Sequence, residues 1–240
     1  MSKQRLDRTV VARGLVPTRS QAESWIRLGQ ILVDGRAETK PGFLVADDAR
    51  LELRATEQYV SRAGLKLASV ARALKLDFTN KVLLDVGSST GGFTDYALQH
   101  GARKVIAIDV GTDQLHPRLR ADPRIELHEQ TDIRDVRTLS AVPDIVVIDV
   151  SFISLRDILP HVVALAGTHT SIVAMVKPQF EAQASNLKHK GVIKNDRLRR
   201  DILKNFEDWA RQYVVVLDKA DSEIAGSKGN VERFYSLKKL

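Results

Sequence analysis

Two groups of residues could do chemistry. The first lies between Lys81 and Leu98, KVLLDVGSSTGGFTDYAL. An apolar run (Val82, Leu83, Leu84) leads to Asp85 and Val86, and Gly87, Ser88, Ser89, Thr90, Gly91 and Gly92 form a small-residue loop ahead of Phe93, Tyr96, Ala97 and Leu98. This order predicts a buried strand, a tight loop and a helix. Glycines let the backbone pass close to a ligand, and a helix start offers unpaired N–H groups. The next apolar run, Val105 to Ile108, ends on Asp109. An acid about twenty residues beyond such a loop can accept hydrogen bonds from the hydroxyls of a ribose. The pattern points to a nucleoside-containing cofactor.

The spacing Gly87-x-x-x-Gly91-Gly92 departs from the dinucleotide pattern G-x-G-x-x-G. Asp85 would repel a pyrophosphate and would suit a cationic amino-acid end, as in S-adenosylmethionine. A turn that only packs a helix on a strand is the competing reading, and Asp109 argues against it.

The second group is Lys66, Asp149, Lys177 and Glu232. If they converge, two lysines interleave with two carboxylates. Crowded cations and burial lower a lysine pKa, while carboxylates raise it. Methylating a sugar hydroxyl needs such a group, because the hydroxyl is a poor nucleophile until its proton is accepted. A positioned base is typically worth about 10²–10⁴-fold. A sulfonium methyl is already activated, so in-line alignment is the remaining work. Spacing alone favours a surface role for Lys66, its stem lying along apolar neighbours. It leaves Lys177 balanced between that role and a base.

The elements that must position these groups follow from the apolar pattern. Leu6, Val10, Val11 and Leu15 mark one face of a short helix, and Thr18 is placed to cap a second, Arg19 to Leu28, with Ala22, Trp25 and Ile26 inward. Ile31-Leu32-Val33 and Leu51-Glu52-Leu53 read as strands, with a turn at Asp34-Gly35. Gln58 to Ala63 is the expected junction, and residues 1–60 are expected to form a small α+β unit. A helix from Arg62 to Leu74 should turn Leu65, Leu67, Ala68 and Ala71 to a core. Further strands are expected at Arg124 to Leu127, Ile145 to Ile148 and Ser171 to Val176, with Asp132 just past the first, where an acid can reach an adenine amino group. Asn195 or Asp196 can cap a helix to Ala210, and Tyr213 to Leu217 and Val231 to Leu237 read as two last strands. Alternating strands and helices predict an α/β fold with a doubly wound parallel sheet over residues 61–240. Ligands of such sheets sit beyond the carboxyl ends of the strands, where Asp85, Asp109, Asp149 and Lys177 fall.

The chain of 240 residues can hold one large core and a small extra domain. Its formal charge of +7 suits a polyanionic partner. It contains no cysteine, which excludes disulfides and thiolate metal sites, and its histidines lack metal-ligand spacing. No apolar run has the length of a membrane span and MSKQRLDRTV lacks a signal-peptide core, so a cytoplasmic protein without metal or membrane is expected. Trp25 and Trp209 read as packing residues. Phe152 and Phe180 flank the expected site and suit either base stacking or the core.

The segment RLDRTVVARGLVPTRSQAESWIRLGQILVDG, with KPG following at Lys40, resembles the alpha-L RNA-binding domain named after a small-subunit ribosomal protein. The resemblance implies RNA binding, with Arg5, Arg8, Arg19, Arg27, Arg62, Lys188 and Lys190 as candidate contacts. The fragments YVSRAGLKL, LLDVGSSTGGFTD, DVSFISL, MVKPQFE, KGVIKN and GNVE resemble the TlyA (hemolysin A) family, with a Rossmann-like catalytic domain of the FtsJ/RrmJ type. That likeness implies S-adenosylmethionine-dependent 2′-O-methylation of a ribose in ribosomal RNA, with cytidine as the acceptor and ribosomal subunits as partners. It implies a tetrad in which Lys177 is base-like, Asp149 tunes it, and Lys66 and Glu232 orient the ribose. It implies cofactor contacts at Asp85, Gly87, Ser89, Gly91, Gly92, Phe93, Asp109, Asp132 and Asp149. Ala63 stands where relatives often carry glycine. The alternatives are an RNA-binding assembly factor of little activity, and a membrane-active hemolysin, which the absence of a long amphipathic apolar surface disfavours.

Overall fold

The computed structural model describes residues 3–54, 59–184, 191–226 and 229–240. The first segment forms strand β1 (Lys3–Arg5), helices α1 (Leu6–Ala12) and α2 (Arg19–Arg27), and strands β2 (Ile31–Val33), β3 (Arg36–Ala37), β4 (Leu44–Ala46) and β5 (Leu51–Leu53). Thr18 caps α2, its hydroxyl accepting from the Gln21 amide at 3.2 Å. Leu6, Val10, Ala22, Trp25 and Ile26 form the buried seam between the helices. β2 pairs antiparallel with β3 and β5, and β1 with β4. Strands β1, β3 and β4 add to the expected elements.

The second part opens with α3 (Arg62–Ala71). It continues through β6 (Val82–Val86), α4 (Gly92–Gln99), β7 (Lys104–Ile108), α5 (Pro117–Arg120), β8 (Ile125–His128) and β9 (Ile145–Ile148). Then come α6 (Leu159–Leu165), β10 (Ser171–Val176), α7 (Pro178–Ala184), α8 (Asp196–Ala210), β11 (Val214–Asp221) and β12 (Arg233–Lys239). The seven strands from β6 onward form one sheet in the order β11-β12-β10-β9-β6-β7-β8. Every residue of β6 and β9 is buried, as expected for strands covered on both faces.

The sheet differs from a wholly parallel one. β10, β9, β6, β7 and β8 run parallel, but β12 is antiparallel to both β10 and β11. The connection 222–232 is shorter than a parallel crossover requires, so β11 and β12 can only be a hairpin. This reversal inserts β12 beside β10 and brings the start of β12 to the carboxyl edge of the sheet. The strand order turns back at β6, and ligands of such sheets bind at that switch point.

Helix α3 crosses α4 at close range. A Cβ on Gly64 would lie 2.6 Å from Tyr59 Cβ and 2.9 Å from the Gly92 carbonyl oxygen. Only glycine permits this approach, which holds Lys66 against the sheet.

Candidate active site

The glycine loop forms as expected between β6 and α4. Gly87 (φ +83) and Gly91 (φ +90) are left-handed, where an L side chain is strained. A Cβ on Gly87 would also lie 2.6 Å from the Asp149 carbonyl oxygen. Asp109 braces the far side of the loop: its carboxylate accepts from the Ser89 amide at 2.8 Å and from the Gly111 amide at 2.7 Å. The Phe93 ring is buried and faces Phe234 at 6.0 Å between ring centres, so it supports the loop from the core side.

Asp85 is fully buried inside β6. One carboxylate oxygen accepts from the Thr94 hydroxyl at 2.6 Å, and the other is buried with no hydrogen-bond partner among the described residues. Burial pushes this carboxyl up to about 7; Asp149 and Asp109 push the same way and the Thr94 bond opposes them. The Ser88 hydroxyl is also buried without a hydrogen-bond partner. Unsatisfied buried groups of this kind are costly and are characteristic of ligand sites. Asp132 is half-buried and spends both oxygens on the Arg134 guanidinium, with an ion-pair distance of 2.6 Å; that pairing holds its carboxyl below the usual range.

The tetrad assembles as two ion pairs. Lys177 Nζ lies 2.6 Å from Asp149 Oδ1, and Lys66 Nζ lies 2.5 Å from Glu232 Oε2. The sheet joins the pairs. Val176 faces Arg233 in the β10–β12 register, so Lys177 and Glu232 are the next residues on their chains. Asp149 follows the last residue of β9, which is parallel to β10. Lys66, Lys177 and Glu232 are all buried. Spacing alone had favoured a surface role for Lys66; the close packing of α3 on α4 turns it inward.

Two residues near the tetrad escaped the sequence reading. Lys177 Nζ donates a hydrogen bond to Ser151 Oγ at 2.7 Å. Glu181, buried and one helical turn past Lys177, accepts from the Ser154 hydroxyl and the Leu155 amide, each at 2.7 Å. Burial raises the Glu181 carboxyl, against these two bonds and Arg156. Both residues lie inside the fragments DVSFISL and MVKPQFE, which were the available signal. Phe152 sits at φ +67 and is 90% exposed, which excludes it from the core; Phe180 is its ring neighbour at 5.5 Å.

The basic candidates fall into sets. Arg5 and Arg19 both bind the buried Asp7, at 2.9 Å and 2.8 Å. Burial works to raise the Asp7 carboxyl, but the two guanidinium groups hold it below its ordinary value. Arg8 is exposed on the same helix. Arg27 and Arg62 line a cleft of about 380 Å³ between α2 and the loop ahead of Glu232. Arg62 also lines a second cleft, of about 510 Å³, with Gln21, Ser61, His116 and Lys66. Arg62 is therefore shared by the cleft beside α2 and the cleft that reaches Lys66. Lys188 and Lys190 lie outside the described residues.

Comparison with known proteins matches residues 59–239 to the FtsJ-like methyltransferase model and residues 4–51 to the S4 domain. The first match contains the glycine loop and all four tetrad residues. The chain belongs to the FtsJ-like methyltransferase family.

Its curated relatives within that family carry two kinds of name. It is 37% identical to the 16S/23S rRNA (cytidine-2′-O)-methyltransferase TlyA of Mycobacterium tuberculosis, over 98% of this chain and 89% of that protein. It is also 37% identical to hemolysin A of Brachyspira hyodysenteriae, over 95% of this chain and 97% of that protein. Among solved structures, a Streptococcus thermophilus protein provisionally described as a hemolysin superposes with a TM-score of 0.73 at 36% identity, covering 100% of this chain and 89% of that one. No helix among the described residues is long and apolar enough to cross a membrane.

Proposed function

We propose that this chain transfers the methyl group of S-adenosylmethionine to a ribose 2′-oxygen of ribosomal RNA, with cytidine as the acceptor nucleoside. The observation that carries this reading is the pair of lysine–carboxylate ion pairs beside a left-handed glycine loop. The relative from Mycobacterium tuberculosis named as the rRNA methyltransferase TlyA supports the substrate class.

The residues fit the cofactor. The unpartnered oxygen of Asp85 suits the ammonium of its amino-acid end, and Asp109 suits its ribose. Gly87 and Gly91 set the path of the loop, since a Cβ on the first would lie 2.6 Å from the Asp149 carbonyl oxygen and one on the second 2.7 Å from Leu115. When bound, the cofactor supplies a sulfonium-activated methyl group. Lys177 takes the proton of the 2′-hydroxyl, Asp149 holds that amine in place, and Lys66 with Glu232 orients the ribose. The exposed Arg8 and the cleft residues Arg27 and Arg62 hold phosphates, which gives affinity rather than sequence choice. We divide the chain into an RNA-binding domain, residues 1–60, and a catalytic domain, residues 61–240, and we place its action in the cytoplasm with the ribosomal subunits.

The test is purified protein with methyl-labelled cofactor and ribosomal subunits from a strain lacking the protein. Label on a cytidine 2′-oxygen is the expected result, and Lys177→Ala should abolish transfer while leaving cofactor binding within about twofold. Cofactor binding by the wild type without label on either subunit or on free rRNA would overturn the reading in favour of an assembly role.

A further inference from the structure

We propose that Ser151 is a positioning residue that aims the lone pair of Lys177 at the incoming 2′-hydroxyl. The proposal rests on the base role given to Lys177 above. A neutral amine has two hydrogens and one lone pair in tetrahedral arrangement. Lys177 Nζ donates one hydrogen to Ser151 Oγ at 2.7 Å, and Asp149 Oδ1 holds the nitrogen at an ion-pair distance of 2.6 Å without hydrogen-bond geometry. The carboxylate thus fixes the place of the nitrogen, and the Ser151 hydroxyl fixes one of its N–H directions, which limits where the lone pair points. Without Ser151 no directional bond of this amine among the described residues would oppose its rotation.

The loop that carries Ser151 is built to stay still. Its near end is fixed through Asp149, whose amide donates to the Val86 carbonyl at 3.0 Å. Its far end is fixed by Glu181, which accepts from Ser154 and Leu155 at 2.7 Å each. Glu181 belongs to α7, the helix that begins immediately after Lys177, so the base and the clamp on the Ser151 loop share one rigid element. Between the anchors, Phe152 holds a left-handed φ of +67. A non-glycine residue pays strain for that conformation, which persists only where the surroundings impose it. Ser151 is itself exposed, so its hydroxyl faces the side from which a substrate arrives.

The step balances. The 2′-hydroxyl proton moves to the aimed lone pair of Lys177, and an oxygen pair forms the bond to the methyl carbon. The pair of the broken carbon–sulfur bond stays on sulfur, and the ammonium returns its proton to solvent.

The test is steady-state methyl transfer by Ser151→Ala and Ser151→Thr. Wild type is the positive control, and cofactor affinity is measured separately by calorimetry. Ser151→Ala should lower kcat at least tenfold, in line with the cost of misplacing a reacting group. KM for RNA and cofactor Kd should stay within about twofold. Ser151→Thr, which keeps the hydroxyl, should restore most of kcat. A wild-type kcat in Ser151→Ala would overturn the proposal, as would a loss that threonine does not restore or that comes with lost cofactor binding. An inactive wild type would instead sink the reading of function, and an active Lys177→Ala would sink the base role.

Discussion

Lys66 Nζ lies 2.5 Å from Glu232 Oε2, across the seam between α3 and the start of β12, and both side chains are buried. The pair ties the helix that follows the junction to the last strand of the sheet, so it is at once structural and part of the tetrad.

These two roles separate by mutation. Removing one partner leaves a buried charge uncompensated, which typically costs about 3–5 kcal/mol. Lys66→Met and Glu232→Met should each lower the unfolding free energy by about that amount in urea melts. Replacing both by methionine leaves no orphaned charge, so the double variant should recover much of the loss. None of the three should methylate RNA. A double variant as unstable as the singles would show that the pair contributes net stability; an active one would remove both residues from the reaction.

Gly87→Ala tests the loop. The substitution places a methyl group 2.6 Å from the Asp149 carbonyl oxygen at a φ of +83. The left-handed conformation alone costs a non-glycine residue roughly 1–2 kcal/mol. The loop must therefore shift away from Asp149, and cofactor affinity should fall at least tenfold while the fold survives. Unchanged affinity in a calorimetric titration would mean that the cofactor does not follow this loop.

Much of this was legible in the sequence, for reasons that differ by residue. Asp85, Gly87, Gly91 and Asp109 were readable because a strand, a glycine loop and a second strand are local and their spacing is fixed by the fold. Lys177 and Asp149 were readable as strand ends. Their pairing was not, because strand order is a long-range property. Spacing alone read Lys66 as a surface residue, and the family resemblance placed it in the tetrad, since helical spacing cannot show a helix crossing as close as Gly64 over Gly92. The hairpin of the last two strands was legible in the short glycine-containing loop between them; that β12 rather than β11 lies beside β10 was not, because strand order is a long-range property. Ser151 and Glu181 act through other residues, and small or acidic residues in a loop and a short helix carry no periodicity.

Asp85 gives the pH dependence. Its carboxyl is raised from 3.8 to about 7, first by burial. The folded protein therefore holds this proton more tightly than the unfolded chain. The stability it contributes is full below about pH 4 and is lost as pH rises towards about 7. A cationic amino-acid end would reverse the preference, because an ammonium beside the unpartnered oxygen favours the carboxylate. Cofactor binding at pH 6 should thus release a proton from Asp85, and affinity should tighten between pH 6 and pH 8 and then level off. Asp85→Asn should bind more weakly and lose the slope. Calorimetry at pH 6 in two buffers of different ionisation enthalpy reads the proton directly: the apparent binding heats should differ for the wild type and coincide for Asp85→Asn. Equal heats for the wild type, with an affinity flat across this range, would mean that Asp85 is not the residue that meets the ammonium.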